Sequence, residues 1–275
     1  MKKIILATVL AGIGSTAALA ADLGARTYSK APAMGERVYN WAGFYVGATA
    51  GAAWTNDRIR LNAEASPYFN NSLGGSDAPA FGALGSPDLK QTNAIFGGKA
   101  GYNWQASNWV VGLEGDLSSL RFRRSVTITG NPHAGFTNGT STFNDSASSD
   151  WLATVRGRVG YAYDRALFFG TAGVAFGHSS FQSSIVDLAP AGVGRGVASA
   201  STSGTSVGWT AGAGVDYALA NGWIVTVEYV HADLGKVNAQ GLLRDTSLPV
   251  PSTSALTYSA KLESDLVRAG ISYKF

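Results

Sequence analysis

At 275 residues the chain has the length of one barrel or one large sandwich, and its 35 glycines, scarce charges and absent cysteines suit closely packed strands without disulfides or thiolate chemistry. The net charge of +3 falls to +1 once Lys2 and Lys3 are assigned to a leader, leaving 19 basic against 18 acidic residues. That balance excludes a polyanion-binding surface, so no nucleic-acid partner is expected.

Lys2-Lys3, the apolar stretch 4–13 and Ala18-Leu19-Ala20 read as a secretory signal peptide over residues 1–20, cleaved after Ala20. No later run of about 18 apolar residues exists, so a membrane-embedded form must be a closed sheet. Residues 21–42, polar and carrying Pro32, are expected to form a periplasmic N-terminal arm, which leaves 43–275 for the folded domain.

Eight segments with a period of two follow. In the first, 44–54, Phe44, Val46, Ala48, Ala50, Ala52 and Trp54 share one face. The second, 95–104, sets Phe96, Ala100, Tyr102 and Trp104 against Lys99 and Asn103. The third, 109–117, sets Trp109, Val111, Leu113 and Leu117 against Glu114 and Asp116. The fourth, 151–164, alternates Trp151, Ala153, Val155, Val159, Tyr161 and Tyr163 with Thr154, Arg156 and Arg158. The fifth, 167–177, is nearly all apolar, with Phe168, Ala172, Val174 and Phe176 assigned outward. The sixth, 207–219, sets Trp209, Ala211, Ala213, Val215 and Tyr217 against Thr210 and Asp216. The seventh, 223–233, sets Trp223, Val225, Val227 and Tyr229 against Thr226 and Glu228. The eighth, 265–275, sets Val267, Ala269, Ile271, Tyr273 and Phe275 against Arg268 and Lys274, and only Leu266 breaks its rule.

The links alternate strictly. Short ones follow strands two, four and six, the last with an Asn221-Gly222 turn signal. Long ones, rich in Ser, Gly, Asn and Thr, cover 55–94, 118–150, 178–206 and 234–264. A soluble sandwich has no reason to gather every long loop at one end. An eight-stranded antiparallel up-and-down transmembrane β-barrel does, with short periplasmic turns and four long extracellular loops. Ten positions separate Phe44 from Trp54 and Trp151 from Tyr161, roughly 25 Å of height at ~3.3 Å per residue and ~40° tilt, the spacing of two aromatic girdles. The expected girdle is Phe44, Trp54, Trp104, Trp109, Trp151, Tyr161, Tyr163, Trp209, Tyr217, Trp223, Tyr273 and Phe275.

An arginine on the lipid face costs ~2–4 kcal/mol at the midplane, so the charged side chains of these strands must point inward. Lys99, Arg156, Arg158, Arg268 and Lys274 then face Glu114, Asp116, Asp216 and Glu228 in a bore just wide enough for side chains. Height along the strands pairs Glu114 with Arg158, Asp116 with Arg156, Lys99 with Glu114 and Glu228 with Arg268. The expectation is an ion-pair network that holds the barrel shut. The alternative is a charged constriction that selects solutes, as in a narrow porin.

The segments Tyr39-Asn40-Trp41-Ala42-Gly43-Phe44-Tyr45-Val46-Gly47, Thr154-Val155-Arg156-Gly157-Arg158-Val159-Gly160-Tyr161, Gly208-Trp209-Thr210-Ala211-Gly212-Ala213-Gly214-Val215 and Arg268-Ala269-Gly270-Ile271-Ser272-Tyr273-Lys274-Phe275 carry a family likeness. The chain resembles the alphaproteobacterial outer-membrane immunogenic proteins, small barrels also labelled as a porin family. The resemblance implies residence in the outer membrane of a Gram-negative bacterium among lipid and lipopolysaccharide. It also implies envelope maintenance, antigenic loops open to host or surface ligands, and a terminal Phe275 read by the barrel-assembly machinery.

Catalytic and metal chemistry find little footing. His133 and His178 fall in different long links. His231, with Asp233 two positions on, is the one candidate for a lipid-modifying rim enzyme, but no serine is placed beside it. No histidine pair has metal spacing, and Gly212-Ala213-Gly214 is followed by no helix that could cradle a phosphate. The chain is therefore expected to be non-enzymatic and without a cofactor.

Overall fold

The computed structural model describes residues 39–69, 76–133, 137–188, 195–247 and 252–275. The expected leader and the arm up to residue 38 lie outside the described residues. Eight antiparallel strands close in sequence order into one barrel: β1 (Gly43–Ala63), β2 (Asp88–Ala106), β3 (Trp109–Gly130), β4 (Thr140–Tyr163), β5 (Ala166–Leu188), β6 (Arg195–Ala218), β7 (Trp223–Asp245) and β8 (Thr253–Lys274). β8 closes on β1 in a register running from Tyr45↔Lys274 to Thr55↔Ser264 and beyond, and the Phe275 amide donates to the Phe44 carbonyl at 2.9 Å.

The periplasmic turns are as short as expected. Left-handed backbone at Ser107 (φ 55°), Asp164 (φ 51°), Asn221 (φ 57°) and Gly222 (φ 80°) lets the paired strands reverse without splaying.

The far end differs from the expectation of four long loops. Most of 55–94, 118–150, 178–206 and 234–264 continues the strands, so that β3 and β8 each run 22 residues. At ~3.3 Å per residue and ~40° tilt the cylinder stands roughly 55 Å tall, about twice the lipid-facing band. Between β1 and β2 lie a short 3-10 turn (Pro67–Phe69) and a helix α1 (Ala78–Leu84), which fold over the mouth. Phe69, Phe81 and Phe143 stack there with ring centroids 4.9 Å apart.

The hydrophobic face of each strand changes sides part-way up. On β1, Phe44, Val46 and Trp54 are exposed, whereas above the rim Arg58 and Arg60 are exposed while Ile59 and Leu61 are buried. On β1 the alternation is unbroken, but outside the membrane water lies on the outer surface, so the apolar residues turn inward as in a soluble barrel. One-residue shifts interrupt the ladders between Ser119 and Phe122 on β3, Ser149 and Leu152 on β4, and Asp233 and Lys236 on β7, all near this changeover. Such bulges re-aim side chains from one face to the other. The bulge on β7 needs the positive φ of Gly235 (78°).

Candidate functional site

The inside of the barrel is layered. At the periplasmic end an apolar plug packs Trp41 against Val110, Leu167, Phe169 and Ile224. Trp41 is fully buried and its amide donates to Gln105 Oε1 at 2.6 Å, while the Tyr39 amide donates to the Asp164 carbonyl at 3.0 Å. The last residues of the expected arm, 39–42, are thus part of the barrel floor, a correction to the boundary drawn at residue 43.

Above the plug lies the ionic layer. Arg156 Nη2 reaches Glu114 at 2.6 Å and Asp116 at 3.0 Å, and its Nη1 reaches Glu228 at 3.2 Å. Arg268 joins Asp116 and Glu228, each at 2.8 Å. Arg158 joins Asp216 at 2.6 Å and Glu114 at 3.6 Å, and Lys99 stands 3.5 Å from Glu114. Thr154 donates to Asp116, Thr171 accepts from Arg156, and Thr226 joins Lys99 to Asp216. All eight charged groups are buried.

Two details depart from the sequence reading. Cα register sets Glu114 opposite Arg156, not Arg158, and Asp116 opposite Thr154, one inward step from the expected heights. The long side chains lean across that step, so the ion pairs form all the same. Lys274 is not in the layer. It sits half-buried at the periplasmic rim, donating to the Ala42 carbonyl at 3.2 Å with its ammonium over the Tyr39 ring. Its departure leaves four cations facing four anions, a match that a water-poor bore requires.

Tyr45 is the layer's unforeseen member. Its hydroxyl donates to Glu114 Oε2 at 2.8 Å and accepts from Arg158 Nη1 at 2.9 Å. The same alternation that sends Phe44 outward sends Tyr45 inward, so the signal was present. Small residues make the space: a Cβ on Gly101 would sit 2.4 Å from the Tyr45 hydroxyl, and one on Gly112 would sit 2.3 Å from Asn103 Oδ1. The Arg158 guanidinium also stacks over Phe169 at 4.0 Å, joining the ionic layer to the plug beneath.

A second apolar layer closes the ionic one from above, with Leu120, Phe122, Leu152, Leu234 and Leu266 all buried. This explains Leu266, whose apolar side chain had broken the pattern: it faces inward at a level where the interior is no longer ionic.

Most of the expected girdle residues are exposed on the outer surface: Phe44, Trp54, Trp104, Trp109, Tyr161, Tyr163, Trp209, Tyr217, Trp223, Tyr273 and Phe275. Trp151 is half-buried, beside Phe96 and Leu117 in an outer groove next to the β4 bulge.

The chain matches the family described as "Outer membrane protein beta-barrel domain" over residues 6–275. It is 32% identical over 279 residues to the 31 kDa outer-membrane immunogenic protein of Brucella melitensis, covering 100% of both chains. It is also 31% identical over 163 residues to the 22 kDa outer membrane protein of Rhizobium leguminosarum bv. viciae, over 58% of this chain and 62% of that one. The chain belongs to the outer-membrane immunogenic protein family of β-barrels. Its place is the outer membrane of a Gram-negative bacterium. Among solved structures, OprG of Pseudomonas aeruginosa aligns at 14% identity and a TM-score of 0.42, over 85% of this chain and 97% of that one.

In this immunogenic-protein barrel the three histidines have separate settings. His231 lies at the outer rim, its Nδ1 2.8 Å from Asp265, which also accepts from Tyr229 at 2.6 Å. Its ring is 5.2 Å from that of Trp209. Asp265, not the expected neighbour Asp233, is its acid, and no serine is hydrogen-bonded to its ring among the described residues. His178 approaches Ser203 at 3.4 Å on the upper wall. His133 belongs to the cap: Asp187 takes contacts from His133 Nε2 at 2.9 Å, Ser141 at 2.5 Å and Tyr68 at 2.7 Å, and Asp77 lies 3.3 Å from His133 Nδ1. The Asp187 carboxylate beside it holds the His133 imidazole above the usual histidine range.

Proposed function

We propose that this outer-membrane barrel is a non-conducting, non-enzymatic surface protein that contributes to envelope integrity and presents its extracellular hairpins for recognition. One observation carries the reading. The bore is filled through the membrane by a plug around Trp41, four cations matched to four anions, and a second apolar layer at Phe122 and Leu234. An ion crossing it would have to displace paired, desolvated charges and two hydrocarbon layers in series. The upper half, with its polar exterior and folded cap, offers a rigid platform well clear of the lipid for host or surface ligands.

Within this reading lipopolysaccharide surrounds the girdle. The closing strand that ends in the exposed Phe275 is the feature the barrel-assembly machinery would read. Conductance in planar bilayers tests the sealed bore: the expected record is flat, and a steady ion-selective current would establish the narrow porin instead. The physiological half is tested by a deletion strain, which should show altered detergent sensitivity or surface binding that the intact gene restores.

A further inference from the structure

The upper barrel holds an internal cavity that neither the ionic layer nor the cap uses. It lies between the layer containing Phe122 and Leu234 below and the cluster containing Ile59 and Phe181 above. Its walls are mainly hydrocarbon, with Val237 and Leu262 completing them. They enclose about 750 Å³ with the openings included, of which about 50 Å³ admits the centre of a water-sized molecule. That suits one slender chain and is too narrow for a bulky ring system.

The cylinder is not laterally closed at this height. The β2–β3 ladder stops at Phe96↔Ser119, so above it β2 pairs only with β1 and β3 only with β4. On the opposite side the β6–β7 ladder is broken from Ala200↔Gly241 to Trp209↔Asp233. The cavity runs between the two seams, touching Gln91, Phe122 and Arg124 at one and Thr202, Leu234 and Val237 at the other. Two side chains bridge the first seam, Asn93 to the Arg121 carbonyl at 3.0 Å and Arg124 to the Lys90 carbonyl at 2.9 Å, but no backbone ladder closes either seam, and strand edges without a ladder beside one apolar cavity call for a use. Both open at the height of the outer girdle, the first beside Trp54, which pairs with Thr92, and the second at Trp209, which pairs with Asp233, where an amphiphile partitions with its polar end toward water.

Arg124 gives the seam between β2 and β3 its chemistry. It is exposed in the cavity wall, and its Nη1 donates to the Lys90 carbonyl across the gap at 2.9 Å. No carboxylate lies within ion-pair distance of it among the described residues. Its guanidinium therefore stands at the mouth of a hydrocarbon slot with donors to spare.

We propose that this cavity binds a single-chain anionic amphiphile of the fatty-acid type, admitted sideways between β2 and β3, with its tail between the two apolar layers and its carboxylate on Arg124. The layers above and below leave the seams as the way in, and the ionic layer forbids onward passage to the periplasm.

The test uses the barrel in diacyl-lipid nanodiscs, since a detergent tail would itself compete. Decanoate is titrated calorimetrically against protein-loaded and empty discs. Saturable binding near one per barrel is expected only with protein. Arg124→Gln should weaken it on the order of tenfold, the worth of one charge-assisted hydrogen bond. Ala147→Phe, which fills the slot, should abolish it, and decyltrimethylammonium should show no saturable binding. Gel mobility before and after heating checks that each variant is folded, and Ser179→Phe, on the inward face between Gly177 and Phe181, replaces Ala147→Phe if the latter is not. Decanoate behaving as in empty discs overturns the proposal. So does binding that neither the arginine nor the filling variant changes, or equal binding of the cationic amphiphile.

Discussion

Replacing Arg156 by leucine removes the hub of the ionic layer. Its guanidinium is fully buried and contacts three carboxylates, on Glu114, Asp116 and Glu228, within 3.2 Å. The variant leaves four anions facing three cations where water cannot reach them. Breaking a buried pair by removing one partner costs about 3–5 kcal/mol, because the stranded charge keeps its desolvation penalty. Adding Glu228→Gln restores the balance at three and three. Every remaining charge then keeps a partner: Arg268 with Asp116, Arg158 with Asp216, and Lys99 with Glu114. The double variant should therefore recover more than half of the loss. Guanidinium unfolding from lipid vesicles, followed by tryptophan fluorescence, measures both. A single variant within about 1 kcal/mol of the parent, or a double variant no better than the single, would refute the idea that charge balance holds the bore closed.

Trp41→Ala should destabilise the barrel by about 3–5 kcal/mol in the same assay, the range for emptying a buried aromatic site, although the sequence alone places this residue in an arm. Val155→Arg puts a charge on the lipid face of β4, where Val155 is 58% exposed, and should cost ~2–4 kcal/mol and slow membrane insertion. The cap should respond to pH. Because the folded His133 pKa is raised by Asp187, its contribution is fully present below the ordinary histidine pKa and is lost as pH rises through the raised value. Proteolytic nicking near the β3–β4 hairpin should thus be slower at pH 5 than at pH 9, and His133→Gln should level the two rates.

Alternation and its polarity were readable residue by residue in the membrane-spanning half. Val155, Arg156 and Arg158 could be assigned to lipid and lumen because an arginine facing hydrocarbon is prohibitive, and the same reasoning reached Glu114, Asp116, Asp216, Glu228 and Arg268. It failed for Lys274, which is inward by parity but close enough to the chain end to reach the rim instead. It also failed above the rim. There Arg58, Ile59, Arg60 and Leu61 keep the same period with the hydrophobic phase reversed, so a search for greasy outer faces passes over them as loop.

The amino-acid order alone determined that the chain crosses a membrane as a sheet, how many strands it uses, which ends carry tight turns and which charges face inward. Each of these follows from the period-two geometry of a strand and from the high penalty for charge in lipid. Only the closed three-dimensional structure decided how far the staves continue beyond the membrane, that Trp41 completes the seal, and that two ladders part around a hydrocarbon slot. Those outcomes depend on which distant residues meet across the bore and on where a bulge shifts the register, and such contacts leave no periodic mark along the chain.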